Sequence, residues 1–174
     1  MTETPQQYTA RIMSNLTGQE PLKVLAATPK RIERLFKNLS PAKLKKRPAP
    51  GKWSAAEIVA HLADAEIVLG WRVRAILGAP GTPIQAFDQD KWAEAGHYAQ
   101  RNPRQSLDQL RALREANLAL YKSLAPEQWK HYGMHSERGQ ESVEHIARMM
   151  AGHDLNHLQQ IERILITKKV TPGK

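Results

Sequence analysis

Four segments of this chain repeat their apolar residues every three or four positions, and a chain so patterned folds by burying helix faces against one another. Over 54–77 the stripe is Ile58, Leu62, Ala65, Leu69, Val73 and Ile76. Over 142–167 it is Val143, Ile146, Met150, His153, His157, Ile161 and Ile164. Leu22, Leu25, Ile32, Leu35, Phe36 and Leu39 mark a helix over 21–39, and Leu107, Leu110, Leu113, Leu118 and Tyr121 mark one over 106–124. No segment reads as a strand. At 174 residues the chain suits one domain, 1–174, with its core over about 20–166. The expected fold is therefore all-α, a four-helix bundle.

Local signals sharpen the boundaries. Ser54 with Glu57, and Ser106 with Gln109, fit capping boxes that start the second and third long helices. Gly78 and Pro80 end the second helix and Pro126 the third. Thr28-Pro29 suggests a break or restart inside the first, because proline is at home at a first helical position. A further turn of helix fits within 4–17. Residues 40–52 form a connection, 78–105 a long loop with a short helix over 88–95, and 126–141 mostly loop. So long a second connection leaves room for a crossover.

Composition removes several chemistries. There is no cysteine, hence no disulfide, thiolate ligand or Cys nucleophile. Walker A, G-x-G-x-x-G, G-x-S-x-G and H-E-x-x-H patterns are all missing. No apolar run reaches the ~18 residues of a membrane span. The N-terminal residues lack signal-peptide character, so the expected address is the cytoplasm. Net charge is +9, from 26 Lys+Arg against 17 Asp+Glu. The basic residues are scattered, and the clusters at 43–47 and Lys168-Lys169 sit at helix ends and in the tail. That is a solvated basic surface with a bias toward small anionic partners, and no nucleic-acid motif accompanies it.

The informative residues are His153 and His157. They occupy consecutive places in an apolar stripe where Leu or Ile would be ordinary. At i and i+4 their Cβ atoms lie about 5–6 Å apart, near enough for both imidazoles to reach one ion. His61, beside stripe residue Leu62, can face them from the neighbouring helix. Two readings fit: three ligands of a metal with open positions, or core histidines hydrogen-bonded to polar neighbours. His97, His131 and His135 fall in loops and read as surface residues; His145, off the stripe, reads as partly exposed. Among nearby carboxylates, Asp64 follows His61 by one turn and is a candidate to support an imidazole or a bound water. Glu57 is committed to its cap. Asp154 points ~100° from its neighbour His153 and reads as solvated.

Two strings carry a family resemblance. Pro50-Gly51-Lys52-Trp53-Ser54, then His61-Leu62-Ala63-Asp64-Ala65-Glu66 and Arg72, resemble the first half of the DinB-like (DinB/YfiT) superfamily. Gly139 and His153-Asp154-Leu155-Asn156-His157-Leu158-Gln159-Gln160-Ile161 resemble its second half, and Phe87-Asp88-Gln89-Asp90 with Trp92 resembles one branch. The resemblance implies a bundle in up-down-down-up order and a divalent metal on three His, matching His61, His153 and His157. Zinc or nickel would be foremost, with iron and manganese as further options. It also implies homodimers, and relatives that are thiol-dependent transferases and isomerases.

Three functions follow in order. The first is a metal-dependent enzyme, transferase-like with a low-molecular-weight thiol co-substrate or hydrolase-like with water. Arg72, Trp53 and Trp92 are then candidates to line the substrate pocket. The second is a non-catalytic metal-binding or stress protein. The third, resting on charge alone, is a nucleic-acid binder.

Overall fold

The computed structural model describes residues 3–166. The helix end placed near Thr167 and the Lys168-Lys169 pair lie outside them. Four long helices form the body: α2 (Pro21–Phe36), α4 (Ala55–Gly78), α6 (Pro103–Ser123) and α7 (Val143–Ile166). Shorter helices are α1 (Pro5–Ser14), α3 (Pro41–Lys45) and α5 (Gln89–Ala95). α4 packs on α6 and α7, and α2 packs on the same two. This places α2 across the diagonal from α4, so sequential helices are not all neighbours.

The α4 stripe from Ile58 to Ile76 is buried throughout. α4 starts where expected. Ser54 Oγ accepts from the Glu57 backbone N–H, while a Glu57 carboxylate oxygen accepts from the Ser54 N–H. α6 starts earlier than its expected cap at Ser106. Asn102 caps it through Arg104 N–H at 2.9 Å, with Pro103 at the first helical position. The Asn-Pro pair outcompetes the Ser106 box because proline supplies a helical φ and lacks the N–H that would go unbonded there.

The expected break at Thr28-Pro29 does not occur: α2 runs straight through Pro29. Proline removes the N–H that would bond the Leu25 carbonyl. That carbonyl instead accepts from Arg114 Nη1 of α6 at 2.7 Å. A tertiary donor thus replaces the missing helical one.

Strands are present where none were expected. Tyr132–His135 (β2) and Gly139–Ser142 (β3) form an antiparallel hairpin, and Pro83–Ile84 (β1) adds to β2 in parallel. The three-residue hairpin loop closes on Gly139 at φ 79°, a left-handed position that glycine takes without strain. Two- and four-residue strands are too short to show a period in sequence. α1 and α5 match the helices expected within 4–17 and over 88–95. α1 lies on α7, where Gly152 lets the backbone of Ile12 approach so closely that a Cβ would collide with its carbonyl. No helix among the described residues is long and apolar enough to cross a membrane.

Candidate metal centre

The capping box fixes the rotation of α4, and every residue from Ala55 to Glu66 is buried. His61 is therefore enclosed on all sides rather than placed at a helix edge. On α7, His153 and His157 project one turn apart from the face that meets α4. The three rings converge. His61 Nε2 lies 3.1 Å from His153 Nε2, and His157 Nε2 lies 3.1 Å from the same atom. One nitrogen from each histidine falls within 4.8 Å of the others.

Burial controls their protonation. Desolvation, and then the neighbouring His157, push His61 down to about 3. His153 is held well below the ordinary imidazole range, by burial first and then by His157, His61 and Arg114. His157 is lowered by burial, against the opposing pull of Gln160 and Asp154. All three are neutral near pH 7, the form in which imidazole binds metals. His157 Nδ1 lies 3.0 Å from Gln160 Oε1. That oxygen only accepts, so Nδ1 carries the proton and Nε2 turns a lone pair toward the other rings. His61 Nδ1 is buried without a partner, and the Trp53 ring lies 5.0 Å from the His61 ring.

A cavity of about 220 Å³ opens beside the histidines. His61 and His153 line one part; Arg72 and Arg138 line another; Leu69, Phe87, Met149 and Met150 supply apolar wall, and Tyr8 of α1 completes it. Arg72 is 2% exposed. It donates through Nη2 to the Gln85 carbonyl, and its Nε has no partner.

The other expected site residues fall out differently. Asp64 is buried but turned away from the imidazoles in its hydrogen bonding. It accepts from Arg101 at 2.8 and 3.1 Å and from the Tyr98 hydroxyl at 2.9 Å. Tyr98 in turn packs edge-on to Trp53 at 6.2 Å, so Asp64 anchors the layer behind the Trp53–His61 contact. Trp53 is half-buried and lines a groove with Tyr8, His157 and Gln160. Trp92 is 39% exposed, stacks near Phe87, and lines a separate groove with Ile67 and Trp71. His97 is exposed and His145 half-buried, as expected, whereas His131 is half-buried. His135 is buried, not a surface residue, because alternation along β2, the central strand, puts it on the buried face of the sheet with Gly133.

Asp154 is also buried, contrary to the solvated reading. α7 packs on α1, α2 and α4, so a residue 100° from the main stripe still meets a neighbour. Its carboxylate receives Arg114 Nη1 at 2.7 Å and Nη2 at 3.2 Å. Arg114 Nε donates to Glu66 at 2.7 Å, and Asn117 Nδ2 donates to the other Glu66 oxygen at 2.8 Å. This buried network joins α2, α4, α6 and α7 directly behind His153. The register of α6 carries its signal: Leu107, Leu110, Arg114, Asn117 and Tyr121 follow spacings of 3, 4, 3 and 4. Polar residues in a core stripe mark partners, just as on α7.

A three-histidine centre inside a helical bundle defines the class, and sequence comparison gives the family. The chain belongs to the DinB superfamily, whose model matches residues 25–161. Two Oceanobacillus iheyensis proteins provisionally named metal-dependent hydrolases are each 27% identical to it. One aligns over 141 residues, 81% of each chain, and the other over 112 residues, 64% of each. YfiT from Bacillus subtilis, provisionally described as a metal-dependent hydrolase with an unusual four-helix bundle topology, superposes with a TM-score of 0.73. It is 23% identical, and the match covers 82% of this chain and 84% of that one. A mycothiol-dependent maleylpyruvate isomerase superposes with a TM-score of 0.59 at 15% identity, over 83% of this chain and 59% of the isomerase.

Proposed function

We propose that His61, His153 and His157 hold one divalent cation, zinc or nickel, and that the protein is a metal-dependent enzyme hydrolysing a small molecule in the cytoplasm. The observation that carries this reading is the meeting of three imidazole Nε2 atoms inside the bundle. Two nitrogens each 2.0–2.1 Å from one ion lie about 3.3 Å apart at the tetrahedral angle, close to the two 3.1 Å separations seen. Three protein ligands leave a position open, as catalytic sites do and structural ones do not. Imidazole donors suit zinc, nickel and iron better than manganese.

A bound divalent cation supplies a Lewis acid that polarises a carbonyl and makes water acidic enough to react near pH 7. The chain's own groups do the rest. Gln160 fixes the tautomer of His157. Trp53 and the buried first half of α4 keep bulk water from His61. Arg114, ion-paired to Asp154, anchors the turn of α7 that carries His153. Water is the first nucleophile proposed, in keeping with the hydrolase names of the relatives. A low-molecular-weight thiol in the same open position is the second, suggested by the bundle shared with the mycothiol-dependent isomerase. We also infer the up-down-down-up helix order and a homodimer. Nucleic acid is not part of this reading.

The test is to strip metal, then titrate zinc and nickel into wild type and His157→Ala while following thermal melting. A ligand at 100 times its Kd stabilises by about 2.7 kcal/mol, so wild type should show a clear rise that the variant lacks. Equal stabilisation of both would make His157 a core histidine only. Ester and amide turnover by the loaded protein, with and without added thiol, separates the two nucleophiles.

A further inference from the structure

We infer that Arg72 is the anion-binding end of the cavity, so that the substrate is a small molecule with an apolar body and one carboxylate. This rests on the reading of the cavity as the reaction site. Arg72 reaches it from α4 about three turns beyond His61, so reacting group and anion would bind at separate places along one wall.

Arg72 carries an unbalanced charge. Arg114, equally buried, has two carboxylates on it. Arg72 forms no ion pair among the described residues. Among the described residues its one hydrogen bond goes to the neutral Gln85 carbonyl, and its Nε finds no acceptor. Among the described residues the faces around it offer no spare buried anion. From the hairpin, Glu141 is buried but receives both Nε and Nη2 of Arg138, at 2.6 and 3.1 Å. His135, on β2, is lowered by burial and neutral. Phe87 lies under the guanidinium, 5.8 Å from Cζ to ring centroid. Glu137 lines the cavity but is exposed. Arg138 therefore occupies the buried carboxylate of this region, and among the described residues the Arg72 charge is left without a buried partner.

A buried charge without a partner is costly, and desolvation pulls Arg72 down to about 10. One carboxylate from a ligand would supply both the missing charge and the acceptor for Nε. Guanidinium presents N–H groups in a planar fork that matches a carboxylate. The remaining wall, Leu69, Met149 and Met150, suits a short hydrocarbon or a ring. At about 220 Å³ the space lies below the ~300–1,000 Å³ typical of drug-sized ligands.

The probes are benzoate and its neutral isostere benzamide, titrated into the full chain with and without zinc. Calorimetry gives affinity, and the arginine Nε–H resonances give the contact. Benzoate should bind metal-free wild type about tenfold or more tightly than benzamide, the worth of one charge-assisted hydrogen bond. The Arg72 Nε–H resonance, assigned by its loss in Arg72→Lys, should move with benzoate and not with benzamide. Arg72→Gln should erase the preference while leaving zinc binding unchanged. Equal affinity for the two probes in wild type, an unmoved Arg72 resonance, or a preference that survives in Arg72→Gln would overturn the inference. So would benzoate binding that appears only with zinc, because the carboxylate would then be a metal ligand. The Arg72 readout needs no metal, so its failure is distinct from failure of zinc to bind the histidines.

Discussion

Replacing Arg114 by methionine should be among the most destabilising single changes in this protein. The substitution keeps much of the side-chain volume but removes the cation between Glu66 and Asp154, which are 1% and 2% exposed. Both carboxylates would stay buried, with Asn117 still donating to Glu66. Breaking one partner out of a buried ion pair costs about 3–5 kcal/mol. The Leu25 carbonyl, left without its proline-deleted helical bond and now without Arg114, adds roughly 1 kcal/mol or more. For a domain of this size each kcal/mol lowers Tm by about 2–4 °C, so a total of about 4–6 kcal/mol predicts a fall of about 8–24 °C. The deficit should also depend on pH. Burial already raises Glu66 above its ordinary value, and Arg114 opposes that rise. In the variant the Arg114 opposition is gone and only the Asn117 hydrogen bond still works against the rise. The folded state would then hold a proton that the unfolded chain releases above about 4.3, so variant stability falls as pH rises through that window. Urea unfolding of metal-free wild type and variant at about pH 5 and about pH 8 measures both effects. The triple variant Arg114→Met, Glu66→Gln, Asp154→Asn should recover a large part of the loss. A deficit below about 1 kcal/mol, or one identical at the two pH values, would refute the assignment of this network as the polar anchor of the bundle.

Other outcomes follow from the same structure. Metal-free protein should lose stability as pH falls below about 6.5. The unfolded chain then takes up protons that His61, lowered to about 3, and its two neighbours refuse; a flat urea midpoint from about pH 7.5 to 4.5 would contradict their burial as neutral rings. Gly70→Ala should cost about 1–3 kcal/mol, because its Cβ would sit 2.5 Å from Asn117 Oδ1, which accepts from Arg74 at 2.8 Å; chemical denaturation checks this, and a neutral result would mean that Asn117 swings aside freely. Light scattering should give twice the monomer mass, and a monomer across a wide concentration range would remove the dimer.

The long helices and the meeting of three histidines were legible because both follow from the 3.6-residue period. Reading Asp154 as solvated failed for a related reason. A 100° offset means exposure only when one face of a helix is covered, and α7 is covered on several. Arg114 and Asn117 lay outside the expected face because an apolar set through Leu113 was available at spacings of 3, 3, 5 and 3, while the buried register keeps the regular spacing by running through the polar pair. Pro29 shows a local rule losing to a tertiary contact: the donor that keeps α2 intact is 89 positions away in sequence. The hairpin could not be seen because its strands are four residues each, and their pairing depends on contacts between loops.

The matched family region begins at residue 25, so α1 lies wholly before it, yet Tyr8 of α1 forms part of the cavity wall. The histidines therefore lie inside the matched region and this part of the cavity wall outside it. α1 is set against the bundle where Gly152 admits the Ile12 backbone, an attachment that constrains its seat but not the residue at position 8. Exchange of that one side chain would reshape the cavity while the three imidazoles and the Gln160 and Trp53 contacts to them stayed in place.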